Sequence, residues 1–92
     1  MKRYHVRLAE EAELDLIDIC RHIAAHDSPR QADHVLERLE ELCADLAEFP
    51  ARGHVPPELE RVGVLNYREV HFKPYRVIYE IVGRDVFCMT TE

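Results

Sequence analysis

Glycine occurs three times in 92 residues, at Gly53, Gly63 and Gly83, and tryptophan not at all. So few glycines leave no phosphate-cradling loop: neither a P-loop nor a dinucleotide fingerprint can be written from them, and no H-E-x-x-H run is present. With 47% hydrophobic residues, the composition is that of a packed domain and not of a disordered chain. Cysteine is also scarce. Cys20, Cys43 and Cys88 are odd in number and lack metal-ligand spacing, which excludes a disulfide framework and a zinc knuckle and predicts buried free thiols. No apolar run approaches the ~20 residues that cross a bilayer. With acids already at Glu10 and Glu11, no signal peptide is expected. The expected location is cytoplasmic, with no membrane partner.

What is abundant is acid. Eighteen Asp and Glu stand against twelve Lys and Arg, a net charge of −6. The distribution is uneven: residues 1–8 hold Lys2, Arg3 and Arg7 and no acid, residues 9–48 hold twelve acids and three arginines, and residues 49–92 hold six of each. Taken whole, this argues against a nucleic-acid binder, although the part outside residues 9–48 leaves room for a locally positive face.

The length predicts one domain over residues 1–92, with a small core. Residues 4–8 alternate as a short strand. Residues 10–25 read as a helix whose stripe is Leu16, Ile19, Cys20 and Ile23, extended by Ala12 and flanked by Leu14 and Ile17. Ser28, Pro29 and Gln31 form a capping-box start for a second helix over residues 29–48, with Ala32, Val35, Leu36, Leu39, Leu42, Cys43 and Leu46 inward. The connection at His26 and Asp27 allows only an antiparallel hairpin. A loop follows, and the apolar residues 62–65 are expected to bring the chain back in. Residues 67–72, 75–82 and 85–90 then alternate as three strands. The fold class is α+β, ordered β-α-α-β-β-β, with an antiparallel sheet covered on one face by the helical hairpin.

The chemistry concentrates in residues 66–82, where Arg68, His71, Lys73 and Arg76 face only Glu69 and Glu80 in sequence. Arg68 and Arg76 fall on neighbouring strands and are expected to converge on the solvent face. Guanidinium groups so placed can hold a scissile phosphate, and the imidazole of His71 is a group type that serves as acid or base. The competing reading is an arginine and a lysine salt-bridged to Glu69, Glu80 or the helices. His5, His22, His26, His34, His54 and His71 show no shared ligand spacing, so no metal and no cofactor is expected.

The segments Glu48-Phe49-Pro50-Ala51-Arg52-Gly53, Asn66-Tyr67-Arg68-Glu69-Val70-His71-Phe72 and Pro74-Tyr75-Arg76-Val77-Ile78-Tyr79-Glu80, in this order, resemble the RelE/ParE superfamily of bacterial toxins from type II toxin–antitoxin modules, also called plasmid stabilisation proteins. The resemblance covers most of the chain. It implies one of two activities. RelE-like members are endoribonucleases that cut messenger RNA on the ribosome; their catalytic arginine matches Arg76, and their lysines on the preceding strand have only an approximate counterpart in Arg68, with Lys73 in the turn. ParE-like members poison DNA gyrase by protein contact. Both are neutralised by a small cognate antitoxin, giving a toxin–antitoxin hetero-oligomer, with a homodimer as the alternative. The reading leans to messenger-RNA cleavage, with gyrase inhibition or an inactive antitoxin-binding protein as alternatives. The resemblance departs at Val86-Phe87-Cys88-Met89-Thr90-Thr91-Glu92, where the family's basic C-terminal segment, with the ribonuclease arginine and tyrosine, is expected to be lacking. The net negative charge also fits poorly with ribosome binding, where phosphate attraction supplies much of the affinity.

Overall fold

The computed structural model describes residues 3–91; Lys2, counted above in the basic N-terminus, and Glu92 lie outside them. The elements run β1 (His5–Leu8), α1 (Glu10–His26), α2 (Pro29–Glu48), a 3-10 turn (Pro50–Arg52), α3 (Pro57–Glu60), β2 (Tyr67–Phe72), β3 (Tyr75–Val82) and β4 (Asp85–Thr91). The predicted order holds, with one short helix added where Pro57 occupies a first helical turn.

The hairpin forms as its end signals require. Ser28 takes an extended backbone and its Oγ accepts from the Gln31 N–H at 3.0 Å, so α2 starts with one of its orphan donors satisfied. Glu10, Glu11 and Glu13 crowd the first turn of α1, where the helix dipole favours them. Ala12 and Ile23 of α1, with Ala32, Val35, Leu39 and Leu46 of α2, are buried. Leu14 and Ile17, the widened flank of the α1 stripe, face solvent instead.

The sheet order is β1-β4-β3-β2. Strands β2, β3 and β4 make the expected antiparallel meander, because two-residue connections leave no other option. The sheet as a whole is mixed: β1 lies at the edge, parallel to β4, with Val6 beside Val86 and Leu8 beside Cys88. Parallel pairing needs a long crossover, and everything between β1 and β4, helical hairpin included, supplies it. Hydrogen bonds from His5 N–H to the Arg84 carbonyl and from Ala9 N–H to the Cys88 carbonyl fix that edge.

Period-2 alternation divides the sheet. Val70, Val77, Tyr79, Val86 and Cys88 point to the helices and form the core with them. Glu69, His71 and Arg76 share the other face, since Glu69 pairs with Ile78 and His71 with Arg76. A register shift between Ile78 and Tyr79 realigns the end of β4, so that Thr91 is buried and its N–H reaches Asp15 Oδ2 on α1 at 3.2 Å. Cys88 is wholly buried, and its hydrogen bond with Cys43, together with burial, pushes its thiol well above the ordinary range. Cys20 and Cys43 are half-buried and unbridged.

One expectation fails between α3 and β2. Val62 and Leu65 do not turn inward: they flank an exposed turn at Gly63, whose φ of +78° suits glycine, and face solvent, while Val64 is half-buried. Their apolar character follows no period, and so carried no information about facing. Among the described residues, no helix is long and apolar enough to cross a membrane.

Candidate functional site

Glu69 lies on the edge strand β2, on the sheet face turned away from the helices, and is the hub of a polar cluster there. Its side chain is only 3% exposed, in the middle of β2, and an ionised carboxylate there needs several partners. It has them. His71, two residues along the same strand, meets Oε1 through Nε2. His54 meets the same oxygen, Nε2 to Oε1, at 3.1 Å. Arg76, on β3 directly across from His71, donates NH1 to Oε2 at 2.9 Å. Because an ionised carboxylate only accepts, both imidazoles present Nε2–H to it. Burial alone would raise the Glu69 pKa. The His71 hydrogen bond and the charges of His71, Arg76 and His54 outweigh it, and the carboxyl is held below its ordinary range.

The loop after α2 brings His54 to this face. An isolated antiparallel bridge joins His54 to Glu69, with His54 N–H to Glu69 O at 3.2 Å and Glu69 N–H to His54 O at 2.7 Å. The chain continues into α3, whose Glu58 Oε1 accepts from Arg76 NH1 at 2.6 Å. Arg76 therefore lies between two carboxylates, one buried and one exposed.

Of the four residues expected to act together, the structure gathers His71 and Arg76. Arg68 is elsewhere. It shares strand parity with Val70 and Phe72, so it points to the helix side, and there NH1 donates to the Gly53 carbonyl at 2.6 Å and the Ala51 carbonyl at 3.3 Å. The expected convergence of Arg68 with Arg76 is thus overturned by the alternation of the strand itself. Lys73 is exposed at the β2–β3 turn, next to the cis Lys73–Pro74 peptide and toward the α1–α2 connection. The reading that paired the cations with acids describes Arg76. Arg68 meets carbonyl oxygens instead.

His54 and Glu58 come from a loop without periodicity, and nothing in their spacing pointed to this face. They bring one further consequence. The ligating atoms of His54, Glu69 and His71 all lie within 4.8 Å of one another, although the histidines follow no ligand spacing in sequence.

Comparison with known proteins fits this architecture. Residues 6–89 match the family described as the ParE toxin of the type II toxin–antitoxin system parDE. The chain belongs to the ParE toxin family. Among solved structures, this ParE-family chain is similar to one from the chromosomal ParDE toxin–antitoxin system of P. aeruginosa, with 16% identity, 100% of this chain and 97% of that chain covered, and a TM-score of 0.80. It is also similar to one from the RelBE2 toxin–antitoxin complex of Mycobacterium tuberculosis, with 22% identity, 98% and 96% covered, and a TM-score of 0.64. At those identities the likeness shows the fold, and it bears out the α+β architecture read from the sequence. No protein of curated function matches the sequence.

Proposed function

We propose that this ParE-family toxin arrests growth by binding DNA gyrase as a protein ligand, without cutting RNA, and that a cognate antitoxin neutralises it. The observation that carries this reading is the engagement of Arg76 by Glu69 and Glu58. A ribonuclease of this fold needs cations aimed at a scissile phosphate, ready to meet charge that develops in the transition state. Arg76 is committed to two carboxylates, Arg68 lies on the opposite face against carbonyl oxygens, and Lys73 sits at a turn. An incoming phosphate would have to displace carboxylates already bonded, on a chain of net charge −6. This favours gyrase inhibition over the messenger-RNA cleavage to which the sequence leaned.

An antitoxin partner is supported by the family and by the toxin–antitoxin systems to which the similar structures belong. The apolar groove of about 310 Å³ between β1 and α2, lined by Val6, Leu8, Leu39, Cys43 and Val77, offers such a partner a seat on the helix side.

Induced expression in a bacterial host tests the target, with messenger-RNA integrity and plasmid supercoiling read from one culture. Growth arrest with intact transcripts and altered supercoiling is expected. Arrest with cleaved transcripts and normal supercoiling would overturn the reading.

A further inference from the structure

We propose that His54, Glu69 and His71 form a binding site for a single divalent transition-metal ion, zinc above all, that fastens the loop after α2 to the sheet. The site is independent of the toxin's target.

Glu69 and His71 are two apart on one strand, so their side chains leave the same face. His54 is the cross-strand partner of Glu69 in the isolated bridge, so its side chain leaves that face beside them. Three ligand-type side chains are thereby set by backbone hydrogen bonds and not by flexible linkers. A strand pair of this kind is a rigid base for a metal.

Their geometry suits a tetrahedral ion. Zinc bonds of about 2.0–2.1 Å to nitrogen and oxygen put neighbouring ligand atoms ~3.3 Å apart. His54 Nε2 and Glu69 Oε1 are 3.1 Å apart, and all three ligating atoms fall within 4.8 Å. The two ring centres are 5.6 Å apart, close to the ~5 Å that two imidazoles on one tetrahedral ion adopt. Two imidazoles and a carboxylate are donors that zinc accepts, and three protein ligands leave a fourth position to water or an added ligand.

The surroundings fit as well. Arg76 donates to Oε2 and so orients the carboxylate, while Oε1 meets both rings. Such an outer partner is how a ligating carboxylate is commonly held. Arg76 also meets Glu58, whose half-exposed carboxylate adds negative charge near the site for an arriving cation. The His54 and His71 side chains are 63% and 49% exposed, which opens the site to solvent ions and lets each neutral ring move its proton from Nε2 to Nδ1 through solvent, so that Nε2 can bind the ion.

The test uses untagged full-length protein freed of metal with a chelator, titrated with zinc by calorimetry and followed by thermal melting. One equivalent is expected to bind, with a rise in melting temperature because the ion joins the loop to β2. His54→Gln and His71→Gln should each weaken binding by at least ~10-fold and remove the rise. The exposed pair His22 and His26, four apart on α1 with rings 4.4 Å apart, is the competing site. The double variant His22→Gln, His26→Gln should bind zinc as the parent does. Failure of the parent to bind, or binding lost only in the His22, His26 variant, would overturn the proposal. Cobalt added to the parent protein gives a second reading that needs no variant: the strong visible absorption of four-coordinate cobalt is expected, and a weak six-coordinate spectrum would count against the site.

Discussion

Gly53 donates its N–H to the hydroxyl of Tyr79 at 3.1 Å, and that hydroxyl in turn donates to the Pro50 carbonyl at 2.6 Å. One wholly buried phenol thus ties the 3-10 turn after α2 to the centre of the sheet. The closeness of the approach explains the glycine. Its φ of −80° is open to any residue, so backbone freedom is not the reason. A Cβ at position 53 would stand 2.4 Å from the Glu69 carbonyl oxygen and 2.7 Å from the Tyr79 hydroxyl. Neither neighbour can move without breaking a hydrogen bond.

Gly53→Ala is therefore expected to destabilise the protein by about 2–3 kcal/mol, lowering the melting temperature by ~10 °C or more in a domain of this size. The His54–Glu69 bridge should open with it. A thermal melt, with hydrogen exchange at the Glu69 amide, checks both. Unchanged stability would mean that the turn sits farther from β2 than described.

Tyr79→Phe keeps the ring and deletes the link. It leaves the Gly53 N–H and the Pro50 carbonyl without their partner, at a cost of about 1–3 kcal/mol. The pH dependence has a fixed sign. Burial raises the phenol's pKa above 10.0, against smaller opposing effects of the Gly53 hydrogen bond, Arg68 and Arg52. A raised pKa in the folded state favours the protonated phenol there. The contribution is therefore complete below pH ~10, where the unfolded tyrosine begins to ionise, and is lost as pH rises through the folded value. Urea midpoints of parent and variant should be well separated at neutral pH and converge under alkaline conditions. A separation that widened with pH would reverse the assignment.

These contacts show what the sequence made legible. The helical hairpin was readable because Ser28, Pro29 and Gln31 are a start signal, and because Val35, Leu39, Leu42 and Leu46 keep a helical period. The meander was readable because Val70, Phe72, Val77, Tyr79 and Ile81 alternate between two-residue connections. The sidedness of Arg68 lay in the same alternation, but charge suggested convergence with Arg76 and parity decided otherwise. Three features had no local trace. The parallel docking of β1 on β4 joins strands some eighty residues apart. The partners His54 and Glu58 reach the sheet through a long-range bridge and a short helix, and no spacing in a loop encodes either. Residues 62–65 are apolar without a period, so their hydrophobicity did not show which way they face.

Arg68 separates a structural role from a catalytic one. Its guanidinium holds the carbonyls of Gly53 and Ala51, and charge-assisted bonds of this kind contribute about 1.5–3 kcal/mol. Arg68→Ala should lower the melting temperature by ~6 °C or more, and any loss of growth arrest should follow the loss of folded protein. Full stability with abolished arrest would instead assign Arg68 a direct part in the activity.

The last prediction concerns the helical hairpin, where the proposed gyrase contact would have to find apolar purchase. Leu14 and Ile17 are 54% and 45% exposed and one turn apart on α1, so their side chains are neighbours on the outer surface. They contribute little to the core, and polar replacement should change stability by no more than about 0.5 kcal/mol. A protein contact is sensitive to them in a way that folding is not, because apolar anchors at the centre of an interface dominate its affinity. The double substitution Leu14→Glu, Ile17→Lys adds no net charge. It should relieve growth arrest and restore normal supercoiling while leaving the melting temperature within ~4 °C of the parent. Full arrest from a folded variant would move the contact off this helix and toward the sheet.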